Sequence, residues 1–419
     1  MEYFQIRGAG PLRGETAVSG AKNAALPILA ACVLCRGPCV LYNCPEIADV
    51  ETTLAILRAL GAKAERCGAA VVVDAAGLTE TTVPAALAAR MRSSVLFAGA
   101  LLSVGGSVKV PLPGGCPLGE RPINYHLWAF EQLGAKCLAS DGYYEIFWER
   151  PRGAVLEFPH VSVGATENAI LAALRCPGET VLKNAAKEPE IIDLVNFLRS
   201  AGAEISGAGT SELHIRGDQP LHGTTYSIQP DRIETATFLC AAAGCGGEVL
   251  LRRTDARMIQ SVTALLRQTG CELLEEQDAV LVRKTGKTGI ISDVKTAAYP
   301  GFPTDCQAIL TAALLRAEGE SRIEETVFED RFHHVPELQK LGAKLKIHHN
   351  TVHISGVRTL SGAKLTARDL RGGAALVLAA MQAEGESHVT GLEHIDRGYE
   401  RFAEKLRALG ANIGRCFDA

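Results

Sequence analysis

Two hydrophobic patterns take turns along this chain. The first has helical spacing, apolar at i, i+4 and i+7, as in Val50, Leu54, Leu57 and again in Phe402, Leu406, Leu409. Each helical stretch runs into a glycine that stops it: Gly61, Gly134, Gly202, Gly270, Gly342 and Gly410. The contexts are near copies: R-A-L-G-A, E-Q-L-G-A, R-S-A-G-A, R-Q-T-G-C, Q-K-L-G-A and R-A-L-G-A. Successive glycines lie 73, 68, 68, 72 and 68 residues apart. After each glycine the spacing switches to the alternation of strands, as in Lys344 to Ile347 and Thr351 to Ile354. A turn, a further strand and a second, Ala-rich helix follow. This predicts an α/β chain of six repeats of about 70 residues.

The sixth repeat is cut short, with room for one strand after Gly410. The missing strand stands at the other end of the chain. F-Q-I-R-G-A-G-P-L-R-G from Phe4 aligns with L-H-I-R-G-D-Q-P-L-H-G from Leu213 and V-H-I-S-G-V-R-T-L-S-G from Val352. The N-terminal strand is therefore expected to complete the last repeat. That divides the chain into two domains of three repeats, residues 22–229 and residues 1–21 plus 230–419. The chain would cross between them twice, which makes a hinge.

Composition narrows the function. A chain of 419 residues is too long for one ordinary core. Its formal net charge of -4 argues against non-specific nucleic-acid binding. The start, M-E-Y-F-Q-I-R-G, lacks the basic and apolar regions of a signal peptide, and the longest apolar run, Ala24 to Cys35, is too short to span a bilayer. Thirteen cysteines, an odd number, fit reduced thiols in a cytoplasmic enzyme.

Candidate chemistry collects where the Ala-rich helices begin. Those starts carry Lys22 and Asn23, Arg92, Ser162, Asp231 and Arg232, Thr304 and Asp305, and Asp369 and Arg371. Helix N-termini attract anions, and capping accounts for Ser, Thr and Asp there. It does not account for Lys22, Arg92, Arg232 and Arg371, since basic groups oppose the helix dipole. Their recurrence points to a strongly anionic substrate in a cleft between the domains. A second candidate is V-P-L-P-G-G-C-P-L-G-E-R-P-I-N from Val110, a loop rich in Pro and Gly that sets the thiol of Cys116 near Arg121. Cys32, Cys35, Cys39 and Cys44 have loosely zinc-like spacing. Cys32 and Cys35 are expected inside an apolar helix and Cys39 in the strand after it, as buried thiols. His333-His334 and His348-His349 read as surface residues. No Walker A or G-x-G-x-x-G motif follows a strand.

Several of these stretches closely resemble one family. They are S-G-A-K-N-A-A-L-P-I-L from Ser19, L-P-G-G-C-P-L-G-E-R-P from Leu112, V-S-V-G-A-T from Val161 and N-A-A-K-E-P-E-I-I-D from Asn184. P-D-R-I-E-T from Pro230, F-P-T-D from Phe302 and H-I-D-R-G-Y-E-R from His394 complete the set. The family is the UDP-N-acetylglucosamine 1-carboxyvinyltransferases, and the resemblance covers essentially the whole chain. It implies an inside-out α/β barrel in each of two domains, helices inside and sheets outside. It implies transfer of enolpyruvyl from phosphoenolpyruvate to the 3′-hydroxyl of UDP-N-acetylglucosamine, with release of phosphate, as the first committed step of peptidoglycan synthesis. By the same resemblance Cys116 is the proton donor and adduct-forming thiol, the target of the epoxide fosfomycin. Lys22, Arg121 and Arg397 form the anion clamp with Asn23 beside them, and Asp305 is the base. The UDP-sugar would meet Arg92, Arg121, Pro122, Ile123, Asn124, Tyr125, Val161, Ser162, Val163, Asp305 and Val327. No metal or organic cofactor is implied, and the Cys116 loop is the expected lid. His160 departs from the lysine of some members beside the nucleotide. Two other readings are a sister enzyme acting on shikimate 3-phosphate and a silent paralogue that only binds the UDP-sugar. The Cys loop and H-I-D-R-G-Y-E speak against the first; the presence of Cys116, Lys22, Asp305 and Arg397 speaks against the second.

Overall fold

The computed structural model describes residues 2–8, 10–111 and 123–417. They fall into two compact units, one from Gly20 to Gln229 and one made of the first 19 residues with the chain from Pro230 onward.

In the Gly20–Gln229 unit three helices form the interior: α1 (Lys22–Ala31), α2 (Phe97–Gly105) and α3 (Val163–Ala173). Nearly every side chain on them is buried, so they show no polar stripe. They are rich in Ala, Leu and Ile, which favour helix or fill a core without polar atoms. α2 packs against both α1 and α3. At its contact with α3, a Cβ on Gly99 would stand 2.5 Å from the Asn168 carbonyl oxygen, so only glycine lets the backbones meet. The Gly99 N–H donates to Asn168 Oδ1 at 2.8 Å, and Asn168 Nδ2 donates to the Val95 carbonyl at 3.0 Å.

The sheets cover these helices and share one plan. Thr225–Ser227 runs parallel to Cys39–Tyr42, which pairs antiparallel with Ala70–Asp74, which pairs antiparallel with Lys63–Cys67. Val155–Glu157, Glu179–Lys183, Glu212–Arg216 and Glu204–Ser206 repeat it. In the third sheet, Ser107–Pro111, Tyr143–Trp148 and Ala135–Ser140, a single parallel bridge from Thr82 to Lys109 stands in the first place.

The other unit uses the same plan around α4 (Arg232–Cys245), α5 (Gln307–Ala313) and α6 (Leu370–Ala380), each in contact with the other two. Its sheets run Leu12–Ala17, Gly247–Arg252, Ala279–Lys284, Cys271–Glu275, then Val294–Lys295, Glu320–Glu324, Thr351–Ser355, Lys344–His348. The last runs Lys364–Thr366, Glu386–Thr390, Glu2–Arg7, Asn412–Phe417, so the N-terminal strand lies between two C-terminal ones. Within each strand one face is buried and the other faces water, as with Val352 and Ile354 against His353. These six sheets and a two-stranded one are all open; none closes into a barrel among the described residues.

Two expectations need correcting. The helix begun at Lys22 ends at Ala31, so Cys32 lies in a short 3-10 turn and Cys35 in a strand. The backbone of Cys35–Arg36 is taken up by parallel pairing with Leu221–His222, which competes with continuing the helix. His334 is no surface residue: only 2 % of it is accessible, at the start of a helix whose first turn faces Gly372.

Buried carboxylates fasten the chain where it passes from one unit to the other. In the Gly20–Gln229 unit, Ala21 N–H donates to the Gln229 carbonyl at 2.8 Å. Asp193 accepts from Gln229 N–H at 3.1 Å and from the Tyr226 hydroxyl at 2.6 Å. A Cβ on Gly20 would stand 1.6 Å from the Asn43 carbonyl oxygen, so no other residue fits there. In the other unit Asp231 N–H donates to the Ser19 carbonyl at 2.8 Å, and Glu234 accepts from Ser19 N–H at 2.8 Å while paired with Lys405. Burial raises both carboxyls, Asp193 to about 6 and Glu234 to about 7, against the pull of their donors.

Two outcomes follow. Gly99→Ala overpacks the α2–α3 contact and should cost about 1–3 kcal/mol in urea unfolding. Asp193 holds its proton more tightly folded than unfolded, so its ionisation lowers stability as pH rises from about 4 to about 6 and is level above. Asp193→Asn should lack that slope, so the difference between mutant and wild-type unfolding free energies should rise with pH from about 4 to about 6 and be level from there to about pH 8.

Candidate active site

In the unit that begins and ends the chain, three helix starts converge. Asp231 caps α4 by accepting from the N–H groups of Ile233 and Glu234, and Asp369 caps α6 through Arg371 and Gly372. Asp305 lies in the 3-10 turn Thr304–Cys306 that leads into α5. Its Oδ2 accepts from Arg371 Nε at 3.2 Å and Nη2 at 3.0 Å, and its Oδ1 accepts from Arg331 Nη2 at 2.5 Å. The Arg331 and Arg371 side chains are each 5 % exposed, while Asp305 keeps 26 %. This carboxylate is therefore held by two desolvated cations yet open to solvent on one side.

The charge balance of this group has a clear direction. Burial works against the charged form of Asp305, but Arg371 and then Arg331 outweigh it and hold the carboxyl well below the usual carboxylate range. Arg371 lies 5.3 Å from the Tyr399 ring centroid, and the Tyr399 hydroxyl shares a 2.8 Å hydrogen bond with Thr237 on α4. Burial pushes the Tyr399 hydroxyl up to about 12, so it stays neutral. Tyr399 thereby ties H-I-D-R-G-Y-E, which carries half-buried Arg397, to Arg371 and α4. Val327, exposed, stands on a turn closed by Glu325, whose Oε1 accepts from Val327 N–H at 2.8 Å.

The Gly20–Gln229 unit holds a second group. Lys22 opens α1 and pairs with the buried Asp49 at 2.6 Å, and Asn23 next to it is exposed. Arg92 opens the 3-10 turn Arg92–Leu96, which packs on both α1 and α3. Ser162 caps α3 by accepting from Ala165 N–H at 3.4 Å, with exposed Val161 before it and half-buried Val163 after it. Ile123 is buried at the start of the helix Asn124–Gln132, Asn124 is exposed, and the Tyr125 ring lies 6.3 Å from that of His160. The segments around Tyr125 and His160 are thus neighbours. Cys116, Arg121 and Pro122 lie outside the described residues.

Sequence reasoning missed several members. Arg331 holds Asp305 and Glu325 holds Thr304, yet no periodicity or spacing marks either of the two. Glu167, Glu188 and Glu190 form a buried acidic group in the Gly20–Gln229 unit. Burial first, then the charges of Glu190 and Glu188, raises the Glu167 carboxyl well above its ordinary value. N-A-A-K-E-P-E was a signal for the last two. His334, next to Asp369 and Arg331, is pushed down to about 4 by burial and is neutral at ordinary pH. Among the described residues no group of three His, Cys, Asp or Glu is arranged to hold a metal, and no helix is long and apolar enough to cross a membrane.

Known proteins share this plan. The family model described as EPSP synthase (3-phosphoshikimate 1-carboxyvinyltransferase) matches residues 6–406. UDP-N-acetylglucosamine 1-carboxyvinyltransferase 2 of Carboxydothermus hydrogenoformans is 46% identical over 420 residues, covering 100% of both chains. UDP-N-acetylglucosamine 1-carboxyvinyltransferase of Serratia proteamaculans is 46% identical over 99% of each. Among solved structures, the enolpyruvyl transferase NikO from Streptomyces tendae superposes with a TM-score of 0.89 at 27% identity, covering 99% of this chain and 98% of its own. EPSP synthase from Acinetobacter baumannii, with a TM-score of 0.77 at 20% identity over 100% of both chains, shares the fold. With matches that run from end to end, this chain belongs to the enolpyruvyl transferases, in the family of the UDP-N-acetylglucosamine 1-carboxyvinyltransferases.

Proposed function

We propose that this protein transfers the enolpyruvyl group of phosphoenolpyruvate to the 3′-hydroxyl of UDP-N-acetylglucosamine, releasing phosphate, in the cytoplasm where peptidoglycan synthesis begins. The observation that carries the reading is end-to-end likeness, at 46% identity, to relatives of that name. We assign one domain to residues 22–229 and the second to residues 1–21 plus 230–419. Lys22, Arg121 and Arg397 clamp the phosphate and carboxylate of phosphoenolpyruvate, with Asn23 beside them. Arg92, residues 121–125 and 161–163, and Val327 hold the UDP-sugar.

The chemistry is addition followed by elimination. A proton passes from the Cys116 thiol to the methylene carbon of phosphoenolpyruvate, leaving electron deficiency at its C2. The 3′-oxygen bonds to C2, and the hydroxyl proton leaves to Asp305. In the second half a proton returns from the new methyl group, phosphate departs from C2, and the double bond re-forms. A carboxylate as weakly basic as Asp305 is a poor partner for a neutral alcohol. Once the oxygen has begun to bond to C2, its proton is far more acidic, and a weak base in the right place suffices. Position rather than basicity is what the two guanidiniums give Asp305.

The deciding experiment measures phosphate release from phosphoenolpyruvate with and without UDP-N-acetylglucosamine, for wild type and Cys116→Ser. Release that needs the UDP-sugar and stalls in the variant is expected. Release with shikimate 3-phosphate instead would move the chain to the sister activity, and silence with both would leave a binding protein. Lys22→Met should raise KM for phosphoenolpyruvate at least tenfold, as loss of a charge-assisted contact of about 1.5–3 kcal/mol implies.

A further inference from the structure

Four donors converge on one buried carboxylate beside this site. Glu325 is 2 % exposed. Its Oε1 accepts from Val327 N–H at 2.8 Å, Phe328 N–H at 3.2 Å and the Thr296 hydroxyl at 3.0 Å. Its Oε2 accepts from the Thr304 hydroxyl at 2.7 Å. Having given its proton to Glu325, that hydroxyl offers a lone pair to Arg331 Nη1, which donates to it at 2.8 Å. The same guanidinium reaches Asp305 Oδ1 through Nη2. Arg331 Nε makes no hydrogen bond, so its plane is set by these two Nη contacts and by the Phe328 ring, 5.0 Å from Cζ. Phe328 itself is held by Glu325.

We propose that Glu325, acting through Thr304, is the positioning residue that aims Arg331 and so fixes the Asp305 carboxylate in register with the Val327–Phe328 backbone. The proposal rests on the assignment of Asp305 and Val327 to the UDP-sugar. It makes the group that receives the 3′ proton and the turn that touches the nucleotide sugar parts of one hydrogen-bonded unit. A displacement of Arg331 then costs orientation at Asp305, which the reaction depends on more than on basicity.

Thr304→Val keeps the side-chain volume and removes the relay. It should lower kcat about 10–100-fold with KM for UDP-N-acetylglucosamine near wild type, because Glu325 still closes the Val327 turn. Glu325→Gln should behave alike, since Oε1 can still serve the turn while its amide leaves the Thr304 proton without an acceptor. Thr304→Ser, which restores the hydroxyl, should recover kcat to within about threefold. The acid limb of the kcat profile should move to higher pH in Thr304→Val and not in Thr304→Ser, as Asp305 loses part of its hold. Carbon-13 NMR of the Asp305 carboxyl reads that upward move without any turnover. Equal kcat and equal carboxyl titration in Thr304→Val and wild type would overturn the proposal, as would a loss that serine does not rescue. If Glu325→Gln does not fold, the two Thr304 variants decide. A wild type that releases no phosphate with the UDP-sugar, yet shows the carboxyl shift in Thr304→Val, would refute the substrate assignment and leave the positioning chain standing.

Discussion

One carboxylate between two buried guanidiniums sets the terms for the rest of this protein. Neither Arg331 nor Arg371 could be desolvated alone, because an unpaired buried charge costs several kcal/mol. Asp305 supports both, and the cap on α6 and the ring of Tyr399 hold Arg371 in place. The result is a set of charged groups fixed in place before any ligand arrives, which is preorganisation.

The helices can bring their ends together because their flanks are small. Alanine and glycine dominate α1 to α6, and the close approach at Gly99 shows how little room the backbones leave. Apolar flanks and charged ends divide the labour: the flanks supply burial, the ends supply chemistry. The sheets then need one apolar face each, which their alternation provides. The carboxylates Asp193 and Glu234, uncomfortable in their burial, fasten backbone at the two places where the chain passes between units.

Much of this was legible in the sequence, for physical reasons. Six glycines at helix ends announce the repeat because a left-handed C-terminal position strongly favours glycine, and all six have positive φ. The strand Glu2–Arg7 could be placed beside the C-terminus because its motif is repeated where the pairing is local. What stayed hidden depends on tertiary neighbours. The end of α1 at Ala31 is set by a strand nearly 190 residues further on, Leu221–His222. His334 reads as polar surface until Gly372 and Phe332 close over it. Arg331 and Glu325 sit in a polar stretch like many others, and nothing short of the fold reveals that their side chains meet at Thr304. Burial of charge is a property of arrangement, and local composition does not encode it.

The place of Glu2–Arg7 has a consequence for how the chain is made. Its two neighbours, Glu386–Thr390 and Asn412–Phe417, are synthesised only after the strands of every other sheet. Glu2–Arg7 thus waits for partners far along the chain, while the Gly20–Gln229 unit, made in between, can pack as soon as it emerges. Until Asn412–Phe417 emerges, Glu2–Arg7 keeps one edge without its partner. A nascent chain stalled between Gln229 and Asn412 carries one finished unit and an unpaired strand edge, a ready-made mark of incompleteness.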